Sequence, residues 1–186
     1  MQNLLKILLH GLVLLALSPA ATAAESKWID SISATVGKDK NSNKTDVYRL
    51  GLQNHWNRTL FNNGAWYIGG YWDVTVGYME SDVDNSDLYE LGVTPVLRLQ
   101  RDTDISSGMA PFSEVGVGGH YLTDDKLGER DFGSQLQLGS HVGVGVGFGD
   151  KGRYELAYRF QHMSNGGTRT PNNGMEMHLL RFAYGF

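Results

Sequence analysis

Apolar and polar residues alternate along most of this chain. Tyr48, Leu50, Leu52 and Trp56 alternate with Arg49, Gly51, Gln53 and His55, and Trp66, Ile68, Gly70, Trp72, Val74, Val76 and Tyr78 alternate with Tyr67, Gly69, Tyr71, Asp73, Thr75 and Gly77. Tyr89, Leu91, Val93, Pro95, Leu97 and Leu99 repeat the pattern against Glu90, Gly92, Thr94, Val96, Arg98 and Gln100. A period of two sustained this long describes strands with one apolar face and one polar or small face. The spacing predicts strands near 28–37, 46–56, 66–78, 88–101, 111–122, 132–148, 153–164 and 175–186. Turn-rich segments such as Lys38-Asp39-Lys40-Asn41-Ser42-Asn43 and Gly149-Asp150-Lys151-Gly152 separate them. The reading is an all-β fold with an even number of strands, eight.

Such a chain folds either as a soluble, lipocalin-like barrel with its apolar face inward or as a membrane barrel with that face on lipid. The polar face carries Arg49, Gln53, Asp73, Glu90, Arg98, Gln100, Glu114, Gln135, Gln137, Glu155, Arg159, Gln161 and Arg181, with many glycines. Eight strands enclose a space just wide enough for such side chains to fill, and both signs of charge are present to pair. The opposite face sets Trp28, Trp56, Trp66, Tyr78, Tyr121, Tyr154 and Tyr184 near strand ends, where rings prefer the membrane–water interface. The last residues, Arg181-Phe182-Ala183-Tyr184-Gly185-Phe186, alternate aromatics up to a terminal Phe, like the closing strand of bacterial outer-membrane proteins. The expectation is therefore an eight-stranded antiparallel transmembrane β-barrel with a polar packed interior.

The amino-terminal stretch stands apart. Met1 to Lys6 carries one positive side chain, the apolar region begins near Leu4 and is unbroken from Leu12 to Leu17, and Ser18-Pro19-Ala20 and Ala21-Thr22-Ala23 follow. This is the pattern of a secretory signal peptide, with cleavage after Ala23 preferred over Ala24. A retained anchor is disfavoured because the run is shorter than the roughly 20 residues a spanning helix needs. Domains are thus a signal peptide over 1–23 and an outer-membrane barrel over 24–186. No cysteine is present, so stability rests on something other than disulfides. The net charge of -4 and the absence of a basic run give no sign of a nucleic-acid partner. With both termini in the periplasm, the 149–152 turn is periplasmic and the longer 165–174 link faces the outer leaflet.

Parity on the last two strands isolates a candidate site. Tyr154, Leu156, Tyr158 and Phe160 face lipid, and counting on by twos reaches His162 and Ser164; counting back from Phe186 reaches Tyr184, Phe182, Leu180, His178 and Glu176. Polar groups are costly beside hydrocarbon, though less so near the interface. A serine hydroxyl becomes nucleophilic when a neighbouring base takes its proton, and that base needs a third group to orient it. His162 and Ser164 lie two apart on one face, about 6.5–7 Å between Cα atoms, with Glu176 on the adjacent strand. Ten residues of climb at about 45° tilt is about 23 Å, against an apolar band of about 25 Å, so the three sit at the upper rim. Asn165, Gly166, Gly167 and Asn172 in the link offer donors for an oxyanion. On these residues alone, a catalytic set and an incidental one both stand open. His178 reads as an interfacial residue, and His55, His120 and His141 as interior residues rather than metal ligands.

The segment Tyr158-Arg159-Phe160-Gln161-His162-Met163-Ser164-Asn165, then Pro171-Asn172-Asn173-Gly174 and Glu176, then the Phe-terminated strand, resembles the lipid A 3-O-deacylase (PagL) family of outer-membrane β-barrel enzymes. The specific match covers 153–186; the remainder agrees in size and strand count. The resemblance implies an eight-stranded barrel with a lipid-facing Ser-His-Glu triad: Ser164 as nucleophile, His162 as general base and acid, and Glu176 as orienting carboxylate. It places the oxyanion hole at the Asn172 side chain and the Gly167 backbone N–H, with Asn165 in support. The implied activity is a serine esterase removing the 3-hydroxyacyl chain at the 3-position of lipid A in lipopolysaccharide, through an acyl-enzyme, in the bacterial outer membrane. Triad chemistry requires no metal or cofactor. Arg169 and the other loop cations either hold lipid A phosphates or are ordinary solvated charges, and a homodimer is left open. Two rivals compete: an outer-membrane phospholipase A-like hydrolase, whose larger calcium-using barrel has Asn as its third residue, and a non-catalytic structural or adhesive barrel.

Overall fold

A computed structural model describes residues 28–40, 44–101 and 108–186; the signal-peptide reading over 1–23 lies outside the described residues. Eight long strands follow in order: β1 Ser31–Asp39, β2 Thr45–His55, β3 Trp66–Ser81, β4 Asp87–Arg101, β5 Met109–Leu122, β6 Leu136–Phe148, β7 Tyr154–Ser164 and β8 Met175–Gly185. Each pairs antiparallel with the next. β8 returns to β1 in a register running from Ser31 opposite Gly185 to Asp39 opposite Met177. The sheet therefore closes, and closure removes the unpaired edges that an open sheet would expose. Phe61–Asn63 lengthens the β2–β3 hairpin at the end that also holds Ser31 and Gly185, here called the lower end. Lys126–Leu127 pairs with Arg130–Asp131 in a small hairpin at the opposite, upper end.

The faces divide as the alternation predicts. Outward Val117, Val142 and Val144 are 64%, 58% and 60% exposed, while Arg98, Glu114 and Arg181 in the lumen are almost wholly buried. A soluble barrel would reverse this. Buried ions need partners, because a lone charge in a low-dielectric interior is strongly destabilising. Arg98 reaches Glu114 at 2.8 Å and Glu155 at 2.5 Å. Arg159 meets Glu114 at 2.6 Å, Asp73 at 3.1 Å and the Tyr71 hydroxyl at 2.7 Å. Arg181 meets Glu155 at 2.9 Å, and Arg49 meets Glu90 at 2.7 Å, with His120 hydrogen-bonded to the other oxygen of Glu90. Glycines leave space for these large groups: a Cβ on Gly92 would stand 2.6 Å from Thr75 Oγ1 and 2.7 Å from His120 Nδ1. His120 and His141 are buried in the lumen, as expected, and His55 sits at its lower mouth against the Tyr71 ring.

One strand boundary differs from the expectation. The strand expected over 132–148 begins at Leu136. Phe132 leaves the ladder and turns fully inward, so parity is lost over the next few residues. Gln135 therefore lies outside, accepting from the Tyr121 hydroxyl at 3.1 Å and donating to the Thr123 carbonyl at 2.9 Å. Beside its packed polar groups the interior also holds an apolar layer. Val47, Met79, Leu88, Leu122, Leu127, Phe132, Met163, Met175, Met177 and Leu179 form a buried apolar plug under the upper loops. The small hairpin brings Leu127 and Phe132 into it.

Candidate active site

β7 and β8 leave the upper end of the barrel side by side, and the 165–174 link joins them. Register sets His162 directly opposite Glu176, and on its other side opposite Ser140 of β6; Ser164 lies opposite Leu138. Between the outward His162 and Ser164, Met163 is fully buried, and Asn165 is 2% exposed. All three triad candidates therefore project from the outer wall at the upper rim, brought there by strand pairing rather than by a loop. Among the described residues, no hydrogen bond joins His162 to Ser164 or to Glu176. Glu176 Oε2 instead accepts from Lys40 Nζ at 3.0 Å.

Gly174 fits over this pair. A Cβ there would lie 3.0 Å from His162 Cε1, 3.0 Å from the Met163 carbonyl oxygen and 3.1 Å from Ser164 Cβ. At those distances a side chain on residue 174 would make its neighbours give by a few tenths of an ångström. The Gly174 carbonyl accepts from Arg130, whose other nitrogen donates to Asp39 at 2.7 Å. The upper hairpin thus ties the start of β8 to the end of β1.

Asn165 organises the link. Its Nδ2 donates to the carbonyls of Phe132 at 2.8 Å, Arg169 at 3.1 Å and Pro171 at 3.1 Å, and its Oδ1 accepts from Gly167 N–H at 2.9 Å. Its own N–H donates to Asn172 Oδ1 at 2.9 Å. That contact fixes the Asn172 amide, turning its Nδ2 away from Asn165 and leaving it without a partner among the described residues. The Gly166 N–H donates to the Ser164 hydroxyl, at 3.4 Å from Oγ. The Gly167 N–H, expected as an oxyanion donor, is engaged by Asn165. His178 lies one row below Glu176, its Nδ1 2.5 Å from the Tyr158 hydroxyl, in keeping with an interfacial residue. Arg169 borders a rim hollow shared with Tyr121, Gln135 and Leu136.

Lys40, Gly174 and the full extent of the Asn165 network escape sequence reasoning. Lys40 is 136 residues from Glu176 in the chain, and only closure of the barrel brings them together. Gly174 carried a signal as the last residue of a Pro-Asn-Asn-Gly turn, but not its packing over His162.

A family model described as lipid A 3-O-deacylase (PagL) matches residues 46–185. The chain belongs to that family. This PagL-family likeness extends well beyond the 153–186 segment that carried the resemblance. The lipid A deacylase PagL of Pseudomonas aeruginosa is 31% identical over 176 residues, covering 95% of this chain and 96% of that protein. The lipid A deacylase PagL of Bordetella bronchiseptica is 27% identical over 187 residues, covering 96% and 95%. The crystal structure of the outer membrane enzyme PagL superposes with a TM-score of 0.75 at 27% identity, covering 84% of this chain and 99% of that one. The closed barrel, its apolar outer wall and its family make this PagL-family protein an outer-membrane ester hydrolase.

Proposed function

We propose that this protein hydrolyses the ester-linked 3-hydroxyacyl chain at the 3-position of lipid A, with Ser164, His162 and Glu176 as its triad. The observation that carries the reading is the pairing of His162 with Glu176 across neighbouring strands, with Ser164 two residues further along the same lipid-facing wall. A site outside the cylinder receives its substrate sideways from the outer leaflet. The ester, which joins an apolar chain to a polar sugar, lies at the same height as an upper-rim triad.

In this reading His162 accepts the Ser164 proton as Oγ attacks the ester carbonyl, and Glu176 holds the imidazole in the tautomer that can do so. The developing oxyanion takes hydrogen bonds from Asn172 Nδ2 and from the Gly166–Gly167 backbone, with the Gly167 N–H shared between Asn165 and the substrate. Collapse expels the sugar 3-oxygen, which receives the proton from His162, and leaves the acyl group on Ser164. Water, deprotonated by His162, then releases the 3-hydroxy fatty acid and regenerates the serine. Residues 1–23 act as the secretory leader that delivers the chain. The test is the mass of lipid A from cells making the wild type or Ser164→Ala: the wild type removes one hydroxyacyl chain and the variant does not. A variant that still sheds the chain defeats the assignment.

A further inference from the structure

At the height of His162, four adjacent strands each present a polar residue on the outer wall: Lys40 beside β1, Glu176 on β8, His162 on β7 and Ser140 on β6. Lys40 is fixed there through its backbone, because its N–H donates to the Glu176 carbonyl at 2.7 Å and carries the β1–β8 ladder one residue past Asp39. Its side chain then crosses β8. Nζ lies 3.0 Å from Glu176 Oε2 and 5.4 Å from the centroid of the Phe160 ring on β7. The ammonium is thus held between the carboxylate and an aromatic face directly below His162. Two further polar groups of this wall are engaged elsewhere: Lys38 pairs with Asp46 at 2.5 Å, and His178 is bonded to Tyr158. Among the described residues, Lys40 bonds the Glu176 carboxylate and His162 is its cross-strand neighbour.

Resting on the proposed triad, we infer that Lys40 is a positioning residue for catalysis. By tying down Oε2 it stops the carboxylate from rotating and leaves Oε1 to meet the N–H of the His162 imidazole. It also neutralises a carboxylate set at the edge of a hydrocarbon layer, where an unpaired charge is costly. Stability is not its purpose. The two side chains are 48% and 34% exposed, and exposed ion pairs contribute little to folding. The same pair can still matter to a reaction that depends on the angle of one imidazole.

The experiment uses the full-length protein in detergent micelles with lipid A as substrate, and compares Lys40→Met, Lys40→Arg, Glu176→Gln and the double variant Lys40→Met/Glu176→Gln. Lys40→Met is expected to lower kcat about tenfold with KM and melting midpoint unchanged, and Lys40→Arg to recover most of the loss. In the Glu176→Gln background, Lys40→Met is expected to have no further effect. A rise in KM at constant kcat would show a contact with substrate phosphate instead, and equal losses in both backgrounds would show an effect not routed through Glu176. Either result overturns the inference. Failure of the triad itself is read separately, from Ser164→Ala.

Discussion

Changing Asn165 to aspartate replaces one NH2 by an oxygen and alters nothing in size, yet it should disable the site more thoroughly than changing it to alanine. In the folded link, Nδ2 shares its two hydrogens among three carbonyls at 2.8, 3.1 and 3.1 Å, while Oδ1 takes the Gly167 N–H at 2.9 Å. Alanine removes two donated bonds and one accepted bond. At about 1 kcal/mol net each, the closed link loses about 3 kcal/mol, roughly a hundredfold rise in its open population. Aspartate keeps the Gly167 contact but sets an anionic oxygen against three carbonyl oxygens, so repulsion adds to the lost bonds. Because Asn165 also holds Asn172 through its N–H, opening the link scatters the proposed oxyanion donors. The assay is twofold: turnover of lipid A followed by mass spectrometry, and limited proteolysis of residues 165–174. Expected activity falls in the order wild type, alanine, aspartate, with cleavage of the link rising in the same order and the barrel melting midpoint unmoved. Aspartate working as well as wild type, or better than alanine, would refute the reasoning.

Gly174→Ala is expected to lower kcat about tenfold, because the Met163 carbonyl is locked in the ladder and the His162 ring must yield instead by a few tenths of an ångström; steady-state kinetics on lipid A checks this. Arg159→Met is expected to destabilise the barrel by about 3 kcal/mol, the low end of the cost of breaking a buried ion pair, since Glu114 keeps Arg98 and Asp73 keeps Gln53. A urea or thermal midpoint in micelles measures it, and activity of the folded fraction should be unaffected because Arg159 faces the lumen.

Parity carries most of what is legible in the sequence. Strict alternation fixes which face each residue takes, so the outward projection of His162, Ser164 and Glu176 follows from counting by twos. Where a segment leaves the ladder that rule fails, and Phe132 and Gln135 show it failing in opposite directions. The apolar plug was hidden for a related reason: Met163, Met175 and Met177 sit on the inward phase of the last two strands, but nothing local says that their neighbours from β2, β3, β4 and β5 are also apolar at that height. Lys40 was beyond reach because it meets Glu176 across the closing seam. Asn165 could be named from its place beside Ser164, but its burial depends on where Phe132, Arg169 and Pro171 end up.

A cylinder through a membrane is a hazard to the cell that makes it, since the outer membrane exists to keep small toxic solutes out. Here the bore is stopped at one end by methionine, leucine and phenylalanine side chains and filled below by interlocked guanidinium and carboxylate groups. These buried side chains occupy space that an open channel would leave to water. The proposed placing of the chemistry on the outside wall fits such a filled bore, because a catalyst there needs no cavity through the barrier it works in.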